Sequence, residues 1–592
     1  MIRPLMAATL AGAALPMTLF TNELPAQAQT QAHQTAITLV YPPEAHQTTA
    51  EQIFLIGTAP EPVTVNGQPI HQSPAGHFAP SFPLDLGENR FVLEAGDATR
   101  TVLVIRNAAI PPLPENGFAE GLVPAVDVAR QVGEPFCFEA IAPAGATVTV
   151  SLSGQTLALM PEPQVVLPSN FGVLTERVEP LGEQLTYRGC TLLDQVGDLG
   201  QPSYRMTLGE QRVTEAALGR IQVWPRLPEQ VATVTADSGT ARTGPSTTYS
   251  RLTPLPTGTQ AAVTGREGDW WRLDYGAWIR ASEVSVSAGR PPRSLIRGVL
   301  GRVESDRTTV TFPLQTPVPV SVDQQGDSFT LTLHNTTAQT DTIRLDDSPV
   351  VERLDWSQPA PDQVRYQFQL KSSQLWGYSL QYEGTSLVLT LRHPPALSNG
   401  LAGATILLDP GHGSDEDLGA RGPTGLPEKD VVLTVTRQLR DALEARGAAV
   451  VLTREGDEDL FPRDRVAIIE ETAPTIALSL HYNALPDDGD AEGTAGISTF
   501  WYHAQAHDLA VFLHNHLVET LDRPTYGVYW NNLALTRPAI APAVLLELGF
   551  MIHPEEFEWI SDPEAQAELV AALAAGIEDW LVQRATAADA DR

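Results

Sequence analysis

At 592 residues the chain is too long for one ordinary domain, and it reads as several. A hydrophobic content of 42%, with 48 prolines and 45 glycines, fits a soluble protein of many short elements punctuated by turns. A formal net charge of -33 argues against a nucleic-acid-binding protein, because a phosphate-binding face needs a basic surplus. Arg3 precedes the apolar stretch Met6–Phe20, and Ala26-Gln-Ala28 follows it, which predicts a secretory signal over residues 1–28. That stretch contains Pro16 and is short for a membrane span, and no later apolar run is long enough to cross. The expectation is an exported protein of the cell envelope, periplasmic or extracellular, with no integral membrane span. Export permits a disulfide between the two cysteines, Cys137 and Cys190, although sequence alone does not place them within bonding distance.

Residues 36–108 predict a small β domain. Ile53–Ile56, Val63–Val65 and Arg90–Leu93 are β-rich runs separated by turns, and Asn66-Gly67 is a hairpin signal. This segment resembles the immunoglobulin-like modules of bacterial envelope proteins. A proline-rich link, Ile110–Pro114, follows. In residues 115–227 only Ala146–Leu152 alternates clearly, so the region reads as β-rich without an assigned role. Residues 231–288 run through Val231–Ala236, Ala241–Ser246, Leu255–Gly258, Gly268–Leu273 and Gly276–Ile279. In order and length they resemble a bacterial SH3-like domain, a small β barrel that often binds cell-wall peptide. Trp270, Trp271, Tyr275 and Trp278 are then either a binding groove or barrel core, since aromatics dominate small cores. Residues 294–396 alternate with period two over Asp327–Leu333 and Thr385–Leu391, and resemble envelope-targeting β-sandwich modules. Pro394-Pro395 and Ser398-Asn-Gly400 read as a linker.

From Gly403 strands and helices alternate, the pattern of an α/β domain, here placed at 403–584. Asp430 is a candidate cap for a helix to Arg446, with Val432, Val435, Leu439 and Leu443 on one buried face and Gly447 as its stop. Ala448–Thr453, Thr475–Leu480 and Gly496–Tyr502 read as strands, and Gln505–Asp522 and Pro563–Leu581 as helices. Three apolar runs stop abruptly at a chemically active residue. Ile406–Leu408 leads into Asp-Pro-Gly-His412-Gly, Thr475–Leu480 into His481, and Ala543–Leu546 into Glu547. Strand ends are where α/β sheets place their chemistry. Each residue alone has an ordinary reading: a satisfied histidine, a tip facing water, or, for Glu428, a first-turn carboxylate complementing a helix dipole. Together His412, Glu428 and His481 supply three N/O ligands, a known catalytic zinc arrangement when the fourth position holds water. A carboxylate ending the most apolar strand becomes a credible general base beside such a site. His503 and His507 form a weaker rival pair, four residues apart but without the glutamate of the helical zinc motif.

Five segments in order carry a specific resemblance: Leu408–Gly413, Glu428-Lys-Asp430, Leu452-Thr-Arg454, Ser479–Ala484 and Leu546–Phe550. Residues 403–584 resemble the zinc-dependent N-acetylmuramoyl-L-alanine amidases, the type-3 catalytic domain of cell-wall hydrolases. The resemblance implies that His412, Glu428 and His481 bind Zn2+ and that Glu547 is the catalytic carboxylate. It implies peptidoglycan as substrate, cut between the lactyl group of N-acetylmuramic acid and L-alanine of the stem peptide. A zinc peptidase cutting within the stem and a non-catalytic wall-binding protein are the alternatives. Asp409 is a candidate to orient His412, and Arg454, with Asp457 and Asp459 nearby, reads as structural. The chain departs from the family's usual residues at Tyr482, which is expected to narrow or line the cleft, at Ile552-His553 and at Glu470-Glu471. Some family members carry a helical plug over the zinc site. The segment between His481 and Glu547 is short enough that none is expected here.

Overall fold

The computed structural model describes residues 37–108, 117–119, 121–163, 185–290 and 292–590. The expected signal at 1–28 and the link at 110–114 lie outside the described residues. Among the described residues no helix is long and apolar enough to cross a membrane.

A series of β sheets precedes an α/β domain. Residues 37–108 form small sheets around Ile53, Leu55, Val65, Phe78, Leu93 and Val102. In the next region, Pro135–Ala142 pairs antiparallel with Leu185–Leu192, which sets Cys137 directly opposite Cys190, and the two are joined in a disulfide. Closing a loop with a sequence separation of 53 stabilises by roughly 4 kcal/mol in the chain-entropy description. Replacing both cysteines by serine is therefore expected to lower the melting temperature of this β region while leaving hydrolysis unchanged. A thermal scan beside an activity assay checks both.

Hydrogen bonding crosses the boundary expected between 227 and 231. Val128–Gln131 pairs with Ile221–Trp224 on one side and Gln260–Glu267 on the other, so the two regions share one sheet. Trp270 and Trp278 are buried, Trp271 stacks on Trp224, and Tyr275 lies against His334 of the following module. These rings serve packing within and between modules. Residues 294–392 form a five-stranded and a four-stranded sheet enclosing Phe312, Phe329, Tyr366 and Phe368.

The last domain comprises β1 (Thr405–Pro410), α1 (Glu428–Glu444), β2 (Ala449–Leu452), α2 (Pro462–Thr472), β3 (Ile476–Asn483), β4 (Ile497–Trp501), α3 (Ala504–Leu521), β5 (Thr525–Trp530), β6 (Ala543–Phe550), α4 (Pro554–Ser561) and α5 (Pro563–Ala590). The strand order is β2-β1-β3-β6-β4-β5, parallel except where β4 meets β6. On one face α1, α3 and α5 bury Val432, Val435, Leu439, Leu443, Leu509, Leu513, Leu573 and Trp580. On the other, α2 and the turn at Ala534–Thr536 cover Leu407, Ala477 and Ala543. The chain leaves β1 towards β2 and returns to β3 on β1's other side. Diverging connections of this kind open a crevice at the carboxyl ends of β1 and β3.

Helix α1 starts earlier than expected. Its N-cap is Pro427, with extended backbone and no side-chain cap, so Glu428 opens the helix and Asp430 lies in its first turn rather than capping it. Gly447 takes a φ of +97°, which lets its N–H and that of Ala448 close on the last helical carbonyls. Between His481 and Glu547, the one α-helix, α3, packs on the sheet and on α5, as the expectation of no plug requires.

Candidate metal centre

His412 sits just past β1 in a turn whose backbone is left-handed at two non-glycine residues, His412 (φ +59°) and Ser414 (φ +65°). Such conformations are sparsely populated and persist only where surrounding contacts impose them. Arg454 and Arg465, both buried, impose them here. Arg454 donates to the carbonyls of Pro410, Gly411, Lys429 and Gly456, and Arg465 to those of Pro410, His412 and Leu460. Arg454 is thus structural, but through carbonyls: Asp457 pairs with Lys429 instead.

His481 lies two residues before the end of β3, opposite Glu547 of β6 in the sheet register; Glu547 does not end its strand as expected, because β6 runs on to Phe550. Glu428 reaches the same point from the start of α1. Its Oε2 is 3.2 Å from His412 Nε2 and its Oε1 3.1 Å from His481 Nδ1. The N–H groups of Ala420 and Tyr482 donate to the same carboxylate at 2.9 Å. One ligand atom from each of His412, Glu428 and His481 lies within 4.8 Å of the others, the one such group of three metal-binding side chains among the described residues. Two glycines make room. A Cβ at Gly411 would fall 2.2 Å from the His481 ring, and one at Gly419 2.5 Å from Glu428 Oε2.

The electrostatics of the cluster are those of a site built for a cation. Burial disfavours the His412 imidazolium, but hydrogen bonds and charge from Glu428, then Asp417, outweigh it and raise the His412 pKa. Burial likewise pushes Glu428 up, and the two imidazoles pull it well below the usual carboxylate range. Glu547 has no such partners. Burial, then the Glu428 charge, raise it well above the usual range, and its Oε2 is buried without a hydrogen-bond partner. A divalent cation among these groups satisfies the histidines and opposes the penalty on Glu547, so the donor set fits a metal ion.

The helper of His412 is not the expected one. Asp409 faces away: it accepts from Arg465 at 2.7 Å, from Ser479 at 2.6 Å and from Thr453. The carboxylate on His412 Nδ1 is Asp417, at 2.6 Å, which leaves Nε2 directed at Glu428. The acidic run Asp415-Glu-Asp417 offers a signal for such a partner, but nothing in it singles out the third residue. Tyr482 also differs from expectation. It is 2% exposed and points into the core, because side chains alternate along a strand and His481 takes the face of the site. His553 caps α4, and Glu470-Glu471 lie exposed on α2. Among the described residues the rival pair gathers no third donor: His503 bonds the Arg537 carbonyl at 2.7 Å, and His507 packs on Trp501.

Residues 406–579 match the sequence profile of N-acetylmuramoyl-L-alanine amidases. The germination-specific N-acetylmuramoyl-L-alanine amidase of Bacillus subtilis is 31% identical over 206 residues, which cover 31% of this chain and 82% of that protein. The chain belongs to the N-acetylmuramoyl-L-alanine amidase family. A probable cell wall amidase, LytH, of Staphylococcus epidermidis is 29% identical over 184 residues; the match spans 60% of that relative's length and 31% of this chain. Among solved structures, the amidase AmiC2 of Nostoc punctiforme aligns over 31% of this chain and 99% of its own, with 30% identity and a TM-score of 0.29. The matched stretch contains the whole His412, Glu428, His481 and Glu547 cluster of the amidase domain.

Proposed function

We propose that the chain is an exported, zinc-dependent peptidoglycan amidase. It cleaves the amide between N-acetylmuramic acid and L-alanine of the stem peptide, in wall remodelling or daughter-cell separation. One observation carries this reading: two histidines converge on one buried carboxylate beside a second carboxylate, Glu547, whose Oε2 is buried without a partner. His412, Glu428 and His481 would hold the zinc, which when bound polarises the scissile carbonyl and lowers the pKa of water from about 15.7 to about 7. At about 1.36 kcal/mol per unit, that is roughly 12 kcal/mol of easier ionisation, which explains why no serine or cysteine nucleophile is needed.

Glu547 takes the proton of the attacking water and returns it to the leaving amine of L-alanine. Asp417 fixes the His412 ring so that Nε2 faces the centre, and Arg454 and Arg465 hold the turn beneath it. In this reading the β modules, among them an immunoglobulin-like 36–108, an SH3-like 231–288 and a β-sandwich 294–396, keep the amidase domain near the wall. A weak wall-binding module raises the local substrate concentration without altering the site.

Product identity tests the proposal. The full chain, incubated with purified peptidoglycan, is expected to release intact stem peptides with a free L-alanine amine, seen by mass analysis. Fragments cut within the stem would instead make it a peptidase.

A further inference from the structure

The first β module of the chain closes onto the amidase domain. The run Ile53-Phe-Leu-Ile56 is apolar at every position, as in strands covered on both faces. Ile53 and Leu55 fill the core of their own module. Phe54 and Ile56 face outward and form, with Ala79, a separate cluster with Ala491, Phe550 and Ile552 of the amidase domain. Polar contacts surround this cluster, as at a specific interface. The Tyr41 hydroxyl donates to Asp487, and His46 Nε2 lies 2.8 Å from the same carboxylate. Gln52 donates to the Asp488 carbonyl at 2.6 Å, Ser81 to the Gly489 carbonyl at 3.2 Å, and the Ala75 N–H to Glu558 at 2.9 Å.

The segments gripped in this way are those that leave the site. Residues 484–496 connect β3, which ends just past His481, to β4; Phe550 is the last residue of β6, three after Glu547, and Ile552 lies in the turn that follows. On a third side, a Cβ at Gly425, three residues before Glu428, would lie 3.9 Å from Val40.

We infer that residues 37–108 are a positioning module of the catalytic unit, holding the ends of β3 and β6 so that His481 and Glu547 keep their relative placement. The catalytic consequence rests on the amidase reading; the docking does not. Phe54 and Asp487 are the positioning residues, one on each side of the interface.

The test uses the full chain with a protease site inserted in the proline-rich segment 110–114, together with the variants Phe54→Asp and Asp487→Ala. Neither residue lies in the core of the first module. After cleavage the module is expected to co-elute with the rest of the chain on gel filtration. In Phe54→Asp, amide exchange of residues 484–493 and 548–553 is expected to accelerate at least tenfold. Its kcat on soluble muropeptide should fall about tenfold with KM nearly unchanged and zinc content retained, and Asp487→Ala should show the same pattern more weakly. Separation of the cleaved module, or unchanged exchange in Phe54→Asp, overturns the docking. Faster exchange with unchanged kcat overturns the positioning role. A wild-type chain that releases no product defeats the amidase reading instead, while co-elution and exchange still decide the docking.

Discussion

Replacing Glu547 by glutamine is expected to lower turnover by about 10²–10⁴-fold, the usual contribution of a positioned general base. Glutamine keeps the shape and polarity of the side chain but accepts no proton. Glu547 is not among the three side chains that converge as metal donors, so zinc content should be unchanged. Its surroundings leave little else for it to do: it is half-buried, its Oε2 is buried without a partner, and it interrupts a strand, Ala543–Phe550, whose other residues are all apolar. A carboxyl group in that position is costly unless a charge nearby compensates for it. Steady-state kinetics with metal analysis on the same preparation decides the point. Near-normal cleavage by a zinc-loaded Glu547→Gln enzyme would remove the general-base role.

The largest effect on stability is expected at Arg465. Asp409 and Arg465 form an ion pair with both side chains almost fully buried, 1% and 4% exposed. Breaking a pair of this kind by removing one partner costs about 3–5 kcal/mol, because the other charge stays buried. Arg465→Met leaves Asp409 with only the Ser479 and Thr453 hydroxyls and releases the His412 carbonyl. The pH dependence has a definite sign. Burial tends to raise the Asp409 pKa, but the Arg465 charge and the hydrogen bonds from Ser479 and Thr453 outweigh it and lower it below the ordinary value of 3.8. The native pair therefore contributes fully above 3.8, and that contribution is lost as pH falls through the depressed folded value. Without Arg465 the strongest influence that lowers the Asp409 value is gone, so the folded value is expected to rise and the variant has less stability to lose as pH falls. The gap between wild type and variant should be wide at pH 7 and narrow on acidification. Thermal unfolding at both ends of that range measures it, and equal melting temperatures at pH 7 would contradict the account.

The strands that carry the site were legible in the sequence, because an apolar run broken by Asp-Pro-Gly-His or by His481 shows both the strand and its tip; at Glu547 the run shows the strand but not its tip, since β6 continues to Phe550. The buried face of α1 was equally visible in Val432, Val435, Leu439 and Leu443, all fully buried. The start of α1 was misplaced by three residues because Asp430 looks like a cap, whereas the cap is Pro427 and the helix opens directly after it. Helix α2 escaped notice because it buries little besides Arg465 and Ile469, so it has no clear apolar stripe. With α2 hidden, the partner of Asp409 was hidden too, and the carboxylate was assigned to the wrong neighbour. The helix α4 and the strand β5 were also unread. Contacts between Phe54 and Ile552, or Tyr41 and Asp487, join residues more than four hundred positions apart, and no local pattern encodes them. Only the fully apolar run Ile53–Ile56 hinted that a second surface covers that strand.

The measurement that bears most directly on the central claim is zinc titration of the demetallated full chain while release of free L-alanine amines from purified peptidoglycan is followed. The account predicts no release without metal and recovery that saturates at one zinc per chain. It also predicts that neither zinc binding nor release is restored when His412 or His481 is replaced by alanine. Release that survives demetallation, or zinc that binds the alanine variants as tightly as the native chain, would contradict it.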